Sequence, residues 1–247
     1  SFRGGPAYYI EQGLGRRWLG CVFSVLLILC FAYGFNGLQA FNISSALKHY
    51  IPGFSASRWP MVVGAVLAVF AGMVIFGGAH RIGVITSVIV PIMACGYILI
   101  GLVMLFTHLP AAPAVFGMIF RQAFDMRAVS GGFAGSAVVT GVKRGLFSNE
   151  AGMGSAPNAA ASAAVTHPVK QGLIQTLSVF LDTLVICSTT AMILLVSGVQ
   201  PSEDISYVQR AVHTTFGDLG IHFITIAIFF FAFSSLIGTY FYTEANL

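Results

Sequence analysis

The chain has 247 residues, of which 57% are hydrophobic and only 8% charged, with a formal net charge of +4. A water-soluble domain carries about a quarter charged residues, so that class is excluded. The apolar runs are long and continuous, not the short alternating segments of a transmembrane barrel, so the chain reads as an all-α membrane protein. So small a positive balance, spread over the loops, leaves no footprint for nucleic acid.

The opening residues, SFRGGPAYYIEQGLGRRW, read as the middle of a loop, and the chain as an internal piece of a longer protein. Residues 18–39 form the first expected span. Tyr8, Tyr9 and Trp18 suit the headgroup level, beside Arg16 and Arg17. A polar link at 48–58 turns at Pro52 and Gly53. Residues 60–78 form the second span, where Gly64, Ala68 and Gly72 make a small-residue stripe that would admit another helix closely. GGAHRIG reads as a short turn. Residues 82–106 form the third span, with Pro91 expected to kink it.

Within the long link 107–130, residues 113–124 read as a short interfacial helix with proline in its first turn. Val115, Phe116, Ile119 and Phe120 share one of its faces. Residues 131–165 form an interrupted segment that holds Lys143, Arg144 and Glu150 among glycine and alanine. Broken backbone at bilayer depth persists only where it lines a cavity or is buried in protein. Residues 171–197 form the next span, after His167 and Pro168. The link 199–220 is acidic, with Glu203, Asp204 and Asp218, and includes a helix ending near Phe216. Residues 221–242 form the last span. The expectation is thus five continuous spans and one discontinuous, about six in all. Lys and Arg fall five to each side (Arg3, Arg16, Arg17, Arg81 and Lys170 against Lys48, Arg58, Arg121, Arg127 and Arg210), so loop charge does not orient the chain.

Few polar groups lie inside the spans, and each has two readings. Asn36, Gln39 and Asn42 fall on one helix face. They either bond neighbouring helices, for about 0.6 kcal/mol each, or donate to a substrate. FSNEAGMG, residues 147–154, combines an aromatic ring, polar groups and two glycines. A helix broken there bares N–H groups that favour a carboxylate and C=O groups that favour a cation. Glu150 reads as proton carrier, cation ligand or partner of Arg144. Asp182 is a bundle-internal acceptor or an ion-path residue. Ser234 and Ser235 offer hydroxyl oxygens that suit a hard cation, or simply pack. Cys21, Cys30, Cys95 and Cys187 lie in apolar runs without CxxC spacing, which reads as packing. No Walker loop, HExxH or GxSxG occurs, and no His pairs with Asp or Cys at metal or triad spacing, so no enzyme is expected.

GVKRGLFSNEAGMGSAP, followed by HPVKQGL, resembles the hallmark of the alanine or glycine:cation symporters, also called sodium:alanine symporters. RGGPAYYIEQGLG and FLDTLVICSTTA resemble two further blocks of that family, and FSSLIGTYFYTE a third, all in the family's order. The resemblance implies a LeuT-type inverted-repeat bundle in which 1–247 is a fragment of one transmembrane domain, family helices 3 to 8. It implies a multi-pass protein of the plasma membrane. Sodium would be co-transported with a small neutral amino acid, alanine or glycine, with no organic cofactor. The lipid bilayer and the rest of the same polypeptide, helices 1, 2 and those after 8, would be its partners. Gln39, Phe147, Ser148 and Asn149 would lie at the substrate, and Ser234 and Ser235 at sodium. A proton-coupled carrier using Glu150 is the alternative. Two positions depart from the family's pattern: Thr239 stands where tryptophan is usual, and LQAFNIS where an Asn-rich or Ser-rich stretch is more typical.

Overall fold

The computed structural model describes residues 4–123, 132–150, 152–202, 204–244 and 246, and every element among them is helical. Arg3, Arg127, Glu203 and the start of the interrupted segment at Gly131 lie outside the described residues.

The stretch expected to be loop is largely helical among the described residues. Pro6 stands in the first turn of helix α1 (Pro6–Leu14), where its missing N–H leaves no bond unmade, and Gly15 ends the helix at φ +62°. Helix α2 (Arg17–Leu47) runs 31 residues, well past the expected end at Gln39. The polar stretch that suggested an end lies inside the bundle instead: Asn36 Oδ1 accepts from Thr239 Oγ1 at 2.5 Å. Its middle, Leu29–Phe35, is a π-helical turn, in which the N–H of Asn36 reaches the carbonyl of Phe31. The expected turn at Gly53 is present, with φ +70° ahead of a short 3-10 turn, Phe54–Ala56.

Helices α3 (Trp59–Ile75) and α4 (Gly78–Thr107) follow. The turn between them is shorter than GGAHRIG, because α4 already starts at Gly78. Pro91 lies inside α4. Among the described residues no helix packs closely on the stripe of α3. A Cβ on Gly64 would meet nothing within 4 Å, and one on Gly72 only a ring atom of Phe76. The core contacts of α3 come from Leu67 and Ala71, which are buried, with Val63 beside them. Helix α5 (Ala112–Ala123) buries Ala112 and Val115 and leaves Phe116 and Phe120 exposed. Then come α6 (Gly132–Ser148), α7 (Ser155–Ala161), α8 (Pro168–Ser197, with a second π-turn at Leu181–Ile186), α9 (Ser206–Phe216) and α10 (Asp218–Glu244).

Four of these stretches are long and apolar enough to cross a membrane: Arg17–Leu47, Ile82–Thr107, Pro168–Ser197 and Asp218–Glu244. The fifth expected continuous span, Trp59–Ile75, has 17 residues, at the lower limit for a bilayer core of about 30 Å. Helix α10 is the hub. It is 39% buried across its apolar window, against 11% for α8. Ala232, Phe233 and Ile237 pack with Ile43, Leu67 and Ile82, while Ile224 packs with Tyr97, Met104, Ile193 and Val212.

Helix α9 is pinned by Gln209, whose Nε2 donates to the Ala46 carbonyl and to Thr225 Oγ1, both at 2.9 Å. Beside it, Lys48 Nζ meets Asp204 Oδ2 at 2.7 Å. Hydrogen bonds from Lys48, first, and from Ser206 lower the Asp204 carboxyl from 3.8 to about 2. A pKa depressed by folding stabilises the fold fully above the unfolded value and loses that contribution as pH falls through the folded one. Thermal unfolding of wild type and Asp204→Asn is therefore expected to differ at about pH 5 and to converge towards about pH 2. A gap that stays constant over that range would mean the pair contributes nothing.

Candidate functional site

The interrupted segment is broken between α6 and α7. The N–H groups of Asn149 and Glu150 still reach back to the carbonyls of Gly145 and Phe147. The backbone then turns left-handed at Glu150 (φ +51°), Gly152 (φ +78°) and Gly154 (φ +91°). Glycine takes that conformation without penalty, but Glu150 holds it at a strain of about 1–3 kcal/mol, the kind of backbone strain that concentrates at functional sites.

Both π-turns meet the end of α6. From α2, Phe35 stacks on Phe147 with centroids 5.2 Å apart and planes 16° apart. From α8, Asp182 Oδ2 accepts from Ser148 Oγ at 2.8 Å, and Thr183 Oγ1 and Cys187 Sγ lie within 3.4 Å of the same hydroxyl. A π-turn makes room for one residue more than an α-helix does, and such turns recur at functional sites.

The other end of the break is fixed by two amides, of which Asn158 is buried. Asn158 Nδ2 donates to the Gly154 carbonyl at 2.8 Å, and Asn246 Nδ2 donates to Asn158 Oδ1 at 3.1 Å. Gly5, at φ +122°, passes so close that any Cβ there would collide with Asn158 Oδ1.

Between α2, α4, α8 and α10 lies a cavity of about 810 Å³, with the break at its edge. Gln39 and Asn42 line it from α2, Thr86 from α4, and Ser234, Ser235 and Thr239 from α10. Its charged lining residues are Glu150 and Asp182, with no Lys, Arg or His among the described ones. The structure thus brings Gln39, Ser234, Ser235 and Glu150 to the lining of one cavity. Phe147, Ser148 and Asn149 are not on it. Phe147 and Ser148 stand one layer behind, touching the lining residues Phe35 and Asp182.

The individual groups are in different states. Asn36 is engaged by Thr239, so of the three aligned amides Gln39 and Asn42 line the cavity without a hydrogen-bond partner among the described residues. Ser234 Oγ donates to the Phe231 carbonyl at 2.9 Å, which leaves its lone pairs to accept or coordinate. Glu150 forms no ion pair among the described residues, and Lys143 and Arg144 are exposed, so of its three readings the pairing with Arg144 is not made there. Among the described residues no three His, Cys, Asp or Glu side chains converge as a metal site. Sequence reasoning missed Phe35 as a lining residue, because a phenylalanine in an apolar run carries no local signal.

The chain matches, over residues 1–247, the family model described as the sodium:alanine symporter family. It is 49% identical over 248 residues to the amino-acid carrier protein AlsT of Bacillus subtilis, covering all of this chain and 52% of that protein. It is 43% identical over 250 residues to the probable sodium/glutamine symporter GlnT of the same organism, covering all of this chain and 51% of that protein. It is 39% identical over 250 residues to the sodium/alanine symporter AgcS of Methanococcus maripaludis, covering 98% of this chain and 54% of that protein. The chain spans about half the length of the curated relatives it matches.

Proposed function

The chain belongs to the sodium:alanine symporter family, and from that membership we propose that the whole polypeptide carries a small neutral amino acid, alanine or glycine, across the plasma membrane together with sodium. In this reading residues 1–247 are family helices 3 to 8 of a LeuT-type inverted-repeat bundle. The remaining helices of the same polypeptide, 1, 2 and those after 8, close the cavity. The broken helix beside that cavity is the observation that carries the reading. Broken backbone and amide, hydroxyl and carboxylate groups meet there inside an otherwise apolar bundle, which suits a zwitterion and a co-ion.

The site residues take these roles. Gln39 offers its amide to the substrate. Phe147 backs the aromatic wall, and Ser148 and Asn149 fix the end of the broken helix at the substrate. Ser234 and Ser235 give hydroxyl oxygens to sodium. The test is uptake of radiolabelled alanine and glycine by full-length protein in liposomes. Accumulation that follows an inward sodium gradient supports the reading, and uptake indifferent to it overturns it. In the same assay Ser235→Ala is expected to raise the sodium needed for half-maximal uptake roughly tenfold, the scale of one lost polar contact to a charged partner. Unchanged sodium dependence would make that hydroxyl a packing group.

A second reading, proton coupling through Glu150, rests on that carboxylate lining the cavity without an ion pair. A relative from Bacillus subtilis is named a putative sodium/proton-dependent alanine carrier. Replacing sodium with choline at fixed pH separates the two: uptake that persists is driven by protons.

A further inference from the structure

We infer that Asp182 reads the ammonium end of the substrate and that Ser148 holds its carboxylate in place to do so. The inference rests on the amino-acid symport proposed above and adds which end of the substrate faces α8.

The cavity wall carries two charged side chains among the described residues, both negative. Two carboxylates and no cation in the lining attract an ammonium and repel a carboxylate. Of the two, Asp182 is the one held in a defined geometry. The π-turn of α8 sets it into the wall, with the N–H of Cys187 bonded to the Asp182 carbonyl. The bond from Ser148 Oγ to Oδ2 then fixes the carboxylate plane. A carboxylate offers about four lone-pair sites, so one hydroxyl donor leaves capacity for an ammonium. Glu150 sits in the strained turn and belongs to no helix.

The substrate's own carboxylate needs donors instead. Gln39 and Asn42 bring amide N–H groups to the same cavity from α2. The arrangement orients a zwitterion with its ammonium at α8 and its carboxylate at α2. Ser148 is then a positioning residue that acts on the substrate through Asp182.

The test uses full-length protein in liposomes and two competitors of alanine uptake. Alanine methyl ester keeps the ammonium and masks the carboxylate; lactate keeps the carboxylate and lacks the ammonium. Asp182→Asn preserves size and the bond to Ser148 but removes the charge. It is expected to raise the KM for alanine and the inhibition constant of the ester together, roughly tenfold or more, and to leave lactate inhibition and the half-saturating sodium concentration unchanged. Ser148→Ala should move the ester in the same direction by a smaller factor. Asp182→Glu, which restores the charge, should recover ester inhibition in part, and it carries the test with Ser148→Ala if Asp182→Asn does not assemble.

Ester inhibition that is unchanged in these variants overturns the inference. So does a shift in sodium dependence with the ester unaffected, because Asp182 would then serve the co-ion. Equal weakening of ester and lactate also overturns it, as general damage to the cavity. Wild-type protein that takes up no alanine under a sodium gradient would instead refute the symport reading itself.

Discussion

Replacing Gly154 by alanine is expected to destabilise the full-length protein by about 2–5 kcal/mol. Two effects add. The residue sits at φ +91°, where a side chain costs roughly 1–2 kcal/mol. A Cβ there would also stand 2.7 Å from the ring of Phe23 and 3.0 Å from Pro6, with Leu27 at 3.5 Å behind them. Overpacking of that kind costs about 1–3 kcal/mol. Gly152 provides the control, since it has φ +78° but open space around it. Gly152→Ala should show the conformational part alone. Thermal unfolding of the two variants in detergent measures the difference, and equal melting temperatures would show that the packing around Gly154 yields freely.

Phe147→Ala is expected to move substrate preference towards larger side chains, with valine uptake relative to alanine rising about tenfold, the lower end of what one or two methylenes decide in a hydrophobic pocket. The structure gives the reason a specific form. Phe147 does not touch the cavity; it supports Phe35, which does. With the supporting ring gone, Phe35 can recline and the chamber widens where a side chain would lie. The stack itself contributes about 0.5–1.5 kcal/mol, so alanine uptake should weaken no more than about tenfold. Competition among alanine, valine and leucine in liposomes checks this, and an unchanged ranking would remove Phe147 from the specificity argument.

Much of this architecture was readable from residue order alone, and the rest was not for identifiable reasons. The long helices announce themselves, because a continuous apolar run of bilayer length has few other destinations. The break at Gly152 and Gly154 was also legible, since paired glycines among polar groups interrupt an otherwise regular segment. So was the helix ending at Phe216. Helix α1 was missed, because Gly4, Gly5 and Gly13 make PAYYIEQGL look like loop although Pro6 marks a helix start. The overrun of α2 to Leu47 was missed because Asn36, Gln39 and Asn42 look like an ending, when Asn36 bonds α10 and the other two line the cavity.

At the site, Gln39, Glu150, Ser234 and Ser235 could be singled out as polar groups in apolar surroundings. Asp182 could be noticed, but its tie to Ser148 lies 34 residues away in sequence and belongs to the tertiary structure. The stacking of Phe35 on Phe147 is hidden for the same reason. Both depend on π-turns, which no single residue preference specifies.

The π-turn in α2 also governs a row of side chains. Leu27, Phe31, Phe35, Gln39 and Ile43 recur at every fourth position, and the four apolar members are buried. On a regular coil of 3.6 residues per turn such a row creeps sideways by about 40° at each step, so Ile43 would end nearly on the far flank from Leu27. Accommodating one surplus residue at Leu29–Phe35 sets the row back by about 100°. The helix thereby shows a single, almost straight seam to the interior: greasy at its start, amide-bearing beside the chamber, and greasy again where it meets α3 and α10.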